Sequence, residues 1–383
     1  MKFNQWTLGL AAVGAVSLAS VVSADEAKVS QVQTALSSTT LTGYVDVAAQ
    51  YNPGNNNFSS KIAPGVNGTK LDSFSLNDVN VALDKPQDES PWASGYHVEL
   101  NYGTDAINAG LGPVRQAYIA LRTPVGNGID WKFGSFDNII GYEGNTDGAN
   151  PNYTRSLGYQ LEPTTFVGAL ATYKVISSVS VTVGIANTYT NQAAFNGGSY
   201  GVGSTSAKSY LGSITYTAPD SFGFLKGATA TLGVNEQFYD SASLKPGAPS
   251  SQGNYYAGVT IPTPISALKF GAAFDFVTFG NQTATHKDDR IWTAALYTSY
   301  QATDKLSLNL RGEYAKDDAA LYVSTTHNQA EEVTATVQYN LWANVISRAE
   351  FRWDHLAHGG IYGANNTQSS NAYLLALNLI YQF

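Results

Sequence analysis

Residues 371–383, NAYLLALNLIYQF, decide the fold of this chain. Counted back from the C-terminus, every second side chain is large and apolar: Phe383, Tyr381, Leu379, Leu377, Leu375 and Tyr373. The positions between them are mixed and include Gln382 and Asn378. A period of two indicates a β-strand with one apolar face. Because aromatic rings stand at both ends of this face and leucines between them, the pattern is typical of a strand that crosses the hydrocarbon layer of a membrane.

The final aromatic residue adds a second signal. A chain that ends on an aromatic after such a strand resembles the C-terminal sorting signal of bacterial outer-membrane proteins, which the barrel-assembly machinery reads. The six apolar residues of this face are therefore the candidate assembly signal. Outer-membrane lipid and the assembly machinery are the expected partners. The alternative interpretation is the last strand of a soluble β-sandwich.

The N-terminus predicts export. Residues 1–24 begin with one positive charge, Lys2, and continue into an apolar stretch at 6–22. Val22-Ser23-Ala24 then offers small residues at the minus-three and minus-one positions of a signal-peptidase site, and two acidic residues follow. The sequence therefore predicts a cleaved signal peptide at 1–24, a short periplasmic leader at 25–39 and one barrel domain at 40–383.

Composition narrows the class of protein. Charged residues make up 13% of the chain, against roughly 25% in an ordinary soluble domain. Aromatic residues reach 12%, led by 24 tyrosines, and there is no cysteine. After the signal, no apolar run approaches the roughly 18 residues that a membrane helix needs. Without Lys2 the net charge is −9, which argues against nucleic acid as a partner.

Alternating patterns predict sixteen strands. A change of phase at Asn77-Asp78 predicts a β-bulge in the second of them. The predicted strands cover 41–51, 73–84, 95–103, 114–123, 128–136, 166–175, 178–189, 208–218, 227–239, 254–262, 267–279, 290–301, 304–316, 331–341, 344–355 and 371–383. No convincing helix is predicted after the signal, although residues 25–39 could form a short helix or a flexible leader. Sixteen strands form a barrel too wide for side chains to fill, so we expect an aqueous channel.

The predicted connections alternate between long and short. Long segments at 52–72, 104–113, 137–165, 190–207, 240–253, 280–289, 317–330 and 356–370 alternate with short turns such as 124–127, 263–266 and 342–343. The exception is the moderately long inner turn 85–94. Long extracellular loops and short periplasmic turns are typical of outer-membrane barrels. The predicted fold is therefore an all-β, transmembrane antiparallel β-barrel with both termini in the periplasm.

The longest connection, loop 137–165, carries the most specific motifs. It contains Gly141-Tyr142-Glu143, NPNYTRS at 150–156 and Glu162-Pro163, and it follows FGSFD at 133–137. With the Phe74-Ser75-Leu76-Asn77 start of the second strand, these motifs resemble the OmpL-like beta-barrel porin-2 family of Gram-negative bacteria. The resemblance implies a pore-forming outer-membrane protein. In general porins a long third outer loop folds into the barrel and narrows the pore, and loop 137–165 has that place in the chain.

Charged residues suggest how this loop could act. The loop carries one base, Arg155, and four acids: Asp137, Glu143, Asp147 and Glu162. On the fifteenth strand Arg348, Glu350, Arg352 and Asp354 share the face opposite Phe351, and this face must point into the lumen, because an arginine facing lipid at mid-membrane costs about 2–4 kcal/mol. Arg115, Arg122 and Arg311 are further candidates for the lumen wall.

These charges allow two interpretations. In the first, acids of the infolded loop face arginines of the wall and set a transverse field across a constriction, which biases ion selectivity. In the second, Arg155 pairs with Glu143 to shape the loop, and the charges of the fifteenth strand neutralise one another. Both arrangements can coexist.

The functional prediction is a water-filled channel for passive diffusion of small hydrophilic solutes and ions, with mild cation selectivity, no enzyme activity, no cofactor and no metal. The architecture implies a homotrimer. A structural barrel, adhesin or receptor with a closed lumen is the alternative. An outer-membrane enzyme is disfavoured because no serine motif accompanies any of the five histidines.

Overall fold

The computed structural model describes residues 38–53, 72–106, 113–187, 207–238, 251–280, 290–317, 329–357 and 370–383. The predicted signal peptide 1–24, nearly all of the leader 25–39 and the middle of every predicted outer loop except 137–165 lie outside these ranges.

Sixteen antiparallel strands close into one barrel in which each strand pairs with its neighbours in the sequence. They are β1 Thr40–Tyr51, β2 Phe74–Lys85, β3 Ser94–Tyr102, β4 Val114–Thr123, β5 Ile129–Asp137, β6 Thr165–Ile176, β7 Val179–Asn187, β8 Lys208–Thr217, β9 Thr229–Phe238, β10 Ser251–Pro262, β11 Leu268–Gly280, β12 Arg290–Gln301, β13 Leu306–Asp317, β14 Gln329–Trp342, β15 Val345–Leu356 and β16 Asn371–Gln382. The predicted fold class and strand number are confirmed.

The C-terminal strand closes the barrel. β16 pairs with β15 on one side, where Val345 lies opposite Tyr381, and with β1 on the other, where Val47 lies opposite Leu379. Gly43 and Phe383 exchange two backbone hydrogen bonds of 3.0 Å at the end of this seam. A Cβ atom at Gly43 would stand 2.6 Å from the Phe383 ring, so the glycine lets the terminal ring lie against β1. No strand edge is left open, which a membrane requires.

The period of two separates the two faces of the wall. Leu377 is 65% exposed on the outside of the barrel, whereas its neighbours Ala376 and Asn378 are buried toward the inside. Leu375, Leu379 and Tyr381 of the predicted assembly face are exposed as well, and Tyr373 and Phe383 at its ends are half-buried. This alternation gives the barrel an apolar outer surface and a polar inner wall on its β13–β15 side.

Two bulges aim additional side chains inward. At the first, Asn77 is inserted between Asp78 and Leu76, which pair with consecutive residues of β1, so the bulge predicted at Asn77-Asp78 is confirmed. At the second, Arg115 is inserted between Gln116 and Val114, opposite Glu99 and Leu100. A bulge redirects a side chain that strict alternation would point the other way, and the buried Arg115 side chain thereby reaches the lumen.

The prediction that no helix follows the signal is wrong. A five-residue α-helix, α1, covers Leu157–Leu161, and 3-10 turns cover Asp147–Ala149 and Asp220–Leu225. These elements are too short for helical periodicity to show in the sequence. Within the described residues, no helix is long and apolar enough to cross a membrane. β10 begins at Ser251, three residues earlier than predicted.

Candidate functional site

Loop 137–165 is closed at its base by the strands that carry it. Asp137 pairs with Thr165 as the last rung of the β5–β6 ladder, and the Asn138 N–H donates to the Thr164 carbonyl at 2.9 Å. Almost every residue between these points is buried, although the loop joins two strands at their rim. The side chains that bury the loop belong to inward positions of the barrel wall.

The first part of the loop packs into an apolar cluster inside the barrel. Ile139, Ile140 and Tyr142 lie against inward side chains of six strands: Phe166, Leu170, Ala186, Leu211, Tyr256, Ala273, Ala295 and Tyr297. The rings of Tyr142 and Tyr297 stack with centroids 4.0 Å apart. Burial raises the pKa of the Tyr142 phenol to about 12, so the ring stays neutral at physiological pH. This cluster holds the loop against β6–β12.

The second part of the loop meets a buried charge cluster centred on Arg311 of β13. Its Nη1 donates to Glu143 Oε1 at 2.7 Å and to the Thr154 carbonyl at 2.8 Å. Its Nε donates to Glu332 Oε2 at 3.0 Å, and Glu313 Oε2 stands 3.3 Å away. The side chains of Arg311 and all three acids are fully excluded from solvent. One guanidinium therefore faces three buried carboxyl groups.

Two residues of β15 bind the loop backbone. Arg348 donates to the carbonyls of Asp147 at 3.2 Å and Asn150 at 2.9 Å. Glu350 accepts hydrogen bonds from the N–H groups of Tyr153 at 2.6 Å and Thr154 at 2.9 Å. Charge-assisted bonds of this kind are roughly twice as strong as neutral ones. The two side chains thus position loop residues 147–154 against the wall.

The remaining predicted charges pair locally. Arg155 donates to Asp147 at 2.9 Å within the loop, and not to Glu143 as one interpretation proposed, because Glu143 is engaged by Arg311. Burial acts to lower the pKa of Arg155, but the Asp147 carboxylate outweighs it and the pKa is raised. On the wall, Arg352 pairs with Asp354 at 2.7 Å and also donates to the Arg155 carbonyl at 2.6 Å. The structure therefore combines loop–wall pairs with local neutralisation.

The helix α1 is held at its N-terminus. Ser156 caps it by accepting from the Tyr159 N–H at 2.9 Å, which satisfies one of the free N–H groups of the first turn. Glu313 of β13 accepts from the N–H groups of Leu157 at 2.7 Å and Gly158 at 3.3 Å. A carboxylate is favourable there because the helix dipole is positive at that end.

Glu162, at the C-terminal end of α1, lies in an acidic environment. It hydrogen-bonds the Asp275 carboxyl of β11, and Glu143 and Glu313 are its other charged neighbours. Burial, followed by the charge of Asp275, raises the pKa of Glu162 well above its ordinary value. A hydrogen bond between these two carboxyl groups, which needs a proton on one of them, joins the end of the loop to β11.

The site extends to the β1–β5 side, where the predicted Arg115 and Asp137 meet two residues that sequence reasoning did not single out, Asn80 and Glu99. Arg115 donates to Glu99 at 2.6 Å and to Asp137 at 2.5 Å. Glu99 also accepts from Asn80 at 2.6 Å. Glu99 and Glu313 could have been predicted as lumen residues, because each lies two positions from another polar residue on the inward face of its strand.

Comparisons with known proteins agree with this architecture. A family model described as "Putative beta-barrel porin-2, OmpL-like" matches residues 38–383. No curated protein sequence matches the chain. Among solved structures, the anion-selective porin from Comamonas acidovorans is similar with a TM-score of 0.62 at 12% identity, over 90% of this chain and 99% of that one.

Two further structures have the same fold. The outer-membrane channel DcaP of Acinetobacter baumannii is similar with a TM-score of 0.61 at 13% identity, over 92% of this chain and 99% of that one. A trimer form of the outer-membrane protein OmpT of Vibrio cholerae is similar with a TM-score of 0.59 at 15% identity, over 90% and 99%. On the match over nearly its whole described length, the chain belongs to the OmpL-like beta-barrel porin-2 family and is an outer-membrane porin.

Proposed function

We propose that the protein is a passive-diffusion channel for small hydrophilic solutes and ions, and that loop 137–165 sets its narrowest cross-section. The observation that carries the proposal is the docking of this loop on the inner wall. Bonds such as Glu143–Arg311 at 2.7 Å and the Arg348 bonds to loop carbonyls fix it across the lumen. A loop held in this way narrows the pore but leaves the polar inner wall uncovered on either side of the loop.

The charge distribution supports a mild preference for cations. Among the described strand positions that face the interior, acids outnumber bases: Asp46, Asp78, Asp84, Glu99, Asp130, Asp275, Glu313, Asp317, Glu332, Glu350 and Asp354 against Arg115, Arg122, Lys132, Lys174, Lys269, Arg311, Arg348 and Arg352. The loop adds the acids Asp137, Glu143 and Asp147 against Arg155, besides Glu162, whose raised pKa favours its neutral form. Fixed charges of one sign along a pore favour the passage of the opposite ion.

The same reasoning covers the proposed partners. The apolar outer face fits outer-membrane lipid, and the outward aromatic and leucine side chains of β16 are proposed as the signal for the barrel-assembly machinery. A homotrimer is proposed because the similar OmpT structure is a trimer form. The proposal of no enzyme activity is supported by His97, whose two ring nitrogens contact Asp84 at 3.0 Å and Glu99 at 3.4 Å, so neither is free to activate a nucleophile.

Planar-bilayer recordings test the proposal. The wild type is expected to conduct, with a reversal potential of the sign for mild cation selectivity in a salt gradient. Deletion of residues 143–156 removes Glu143 and the backbone groups that Arg348 and Glu350 bind, and is expected to raise single-channel conductance. The matched control is Asn127→Gly in a periplasmic turn, which leaves the lumen unchanged. Unchanged conductance in a folded deletion variant would contradict the constriction, and no channel at any voltage would favour a structural or receptor barrel.

A further inference from the structure

A cavity lies between loop 137–165 and the periplasmic half of the wall. Its volume is about 510 Å³, within the range of sites that bind small molecules. The loop contributes Thr146 and residues 148–151, and the wall contributes residues of strands β11–β16 and of the turns before β11 and after β14. A solute that crosses the proposed constriction therefore enters this cavity on the periplasmic side.

Most inward side chains of the cavity are polar and uncharged, and Ile346 is apolar. Asn309, Gln338, Asn340 and Gln382 supply carboxamides, and Ser299 and Ser307 supply hydroxyls. The one charged side chain among its lining residues is Lys269. This composition differs from the charge clusters on the other side of loop residues 147–154. It offers hydrogen bonds without a field that would select an ion.

Several of these polar groups lack protein partners within the described part of the chain. Within the described residues, no hydrogen bond engages the side-chain amide of Asn309, which is 8% exposed, or that of the half-buried Asn340. The amides of Asn309 and Asn340 line the open space of the cavity. A solute bound there would supply hydrogen bonds that the described part of the protein does not.

One amide is also fixed in orientation. Arg348 Nε donates to the Gln338 side-chain oxygen at 3.1 Å. The NH₂ group of Gln338 therefore points away from Arg348 and can donate to a solute. Gln382 reaches the loop, since a Cβ atom at Gly148 would lie 2.7 Å from its amide nitrogen. Donors and acceptors held in place before binding reduce the entropy lost when a solute is bound.

We propose that this cavity is a binding subsite for uncharged, polyhydroxylated solutes of about mono- to trisaccharide size. A solute hydroxyl group both donates and accepts hydrogen bonds, and carboxamide and serine side chains also offer both donors and acceptors. A cationic solute would meet Lys269 and no carboxylate of the lining, and a multivalent anion would meet only one cation. The subsite rests on the proposed channel function, because solutes reach it through the pore.

The experiment measures binding and conductance separately. Maltotriose, glucosamine and gluconate are titrated into the detergent-folded protein by calorimetry, and each is added to bilayers while the KCl current is recorded. Maltotriose is expected to bind at least tenfold more tightly than either charged sugar and to reduce the current saturably. The double variant Asn309→Ala, Asn340→Ala is expected to weaken maltotriose binding at least tenfold, whereas the control Asn127→Ala leaves binding unchanged.

The outcomes separate the two proposals. Binding that is absent, insensitive to the two alanines or no tighter for maltotriose than for glucosamine would overturn the subsite while a measured KCl current sustains the channel. Specific binding without any KCl current would overturn the channel and leave a saccharide site in a closed barrel. If the double variant unfolds, the single variant Asn340→Ala carries the same expectation with a smaller loss, of about threefold or more.

Discussion

Replacement of Arg311 by methionine is expected to loosen loop 137–165 from the wall and to destabilise the barrel. The substitution removes the hydrogen bonds to Glu143 and Glu332 and the bond to the Thr154 carbonyl, and it leaves three buried acids without their shared cation. Removing one partner of a buried ion pair typically costs about 3–5 kcal/mol. Divided at about 1.4 kcal/mol per factor of ten, that loss lowers the ratio of docked to undocked loop by on the order of a hundredfold or more.

The matched control is Arg122→Met. Arg122 also faces inward and pairs with Asp130 at 2.6 Å, but the side chains of this pair are 11% and 30% exposed. Such a pair contributes about 0–1 kcal/mol because water screens it. Urea unfolding of both variants in lipid vesicles gives the two free energies, and bilayer recordings show whether the Arg311 variant gains conductance and noise.

A second variant identifies the partner. If the charge of Glu143 is the source of the penalty, adding Glu143→Gln to Arg311→Met should recover part of the lost stability, with a coupling energy of about 0.5–3 kcal/mol. The penalty should also shrink at acidic pH, where the orphaned carboxylates take up protons. An Arg311 variant that unfolds within about 1 kcal/mol of the wild type, with unchanged conductance, would refute the reasoning.

Three further predictions concern other parts of the molecule. Because the pKa of Glu162 is raised, the folded state keeps a proton that the unfolded chain releases. The contribution of this group to the free energy of unfolding is therefore complete below about pH 4 and is lost as pH rises, by at most about 1.4 kcal/mol per pH unit. Glu162→Gln should flatten this slope when the free energy is measured by urea unfolding, and parallel pH profiles of variant and wild type would contradict the expectation. Leu377→Arg, outward at 65% exposure, should destabilise the barrel in vesicles by about 2–4 kcal/mol and Tyr381→Arg, nearer the interface, by about 0–1 kcal/mol; equal losses would argue against their depths. Deletion of Phe383, which bonds Gly43, should reduce heat-modifiable protein in the outer membrane of cells, and normal amounts would argue against an assembly role.

The strands could be predicted because each of their residues obeys a local rule. In β15 the alternation of Arg348, Ala349, Glu350 and Phe351 predicts which face of the strand contacts lipid. The structure agrees, since Arg348 is buried and Phe351 is exposed. The closing pair of β1 and β16 followed from topology alone. Nothing beyond alternation and turn positions was needed for these elements.

The partners inside the lumen could not be predicted in the same way. Glu143 lies 168 positions before Arg311 in the chain, and no local pattern states that they meet. Arg115 was a candidate for the lumen wall, but strict alternation on β4 points only Gln116 inward, and the bulge that brings both side chains to Glu99 was not predicted. The helix α1 forms through Ser156 and Glu313, and the second of these is again distant in sequence.

The closed base of loop 137–165 has a consequence for how pores of this kind diversify. Since Asp137 already pairs with Thr165 and Asn138 with Thr164, the hairpin of β5 and β6 is complete without the residues between them. Insertions or exchanges in that interval change the filling of the lumen while the ladder of the barrel stays intact. Pore width is thus a modular trait, which a lineage or a protein engineer can alter at one splice point without rebuilding the wall.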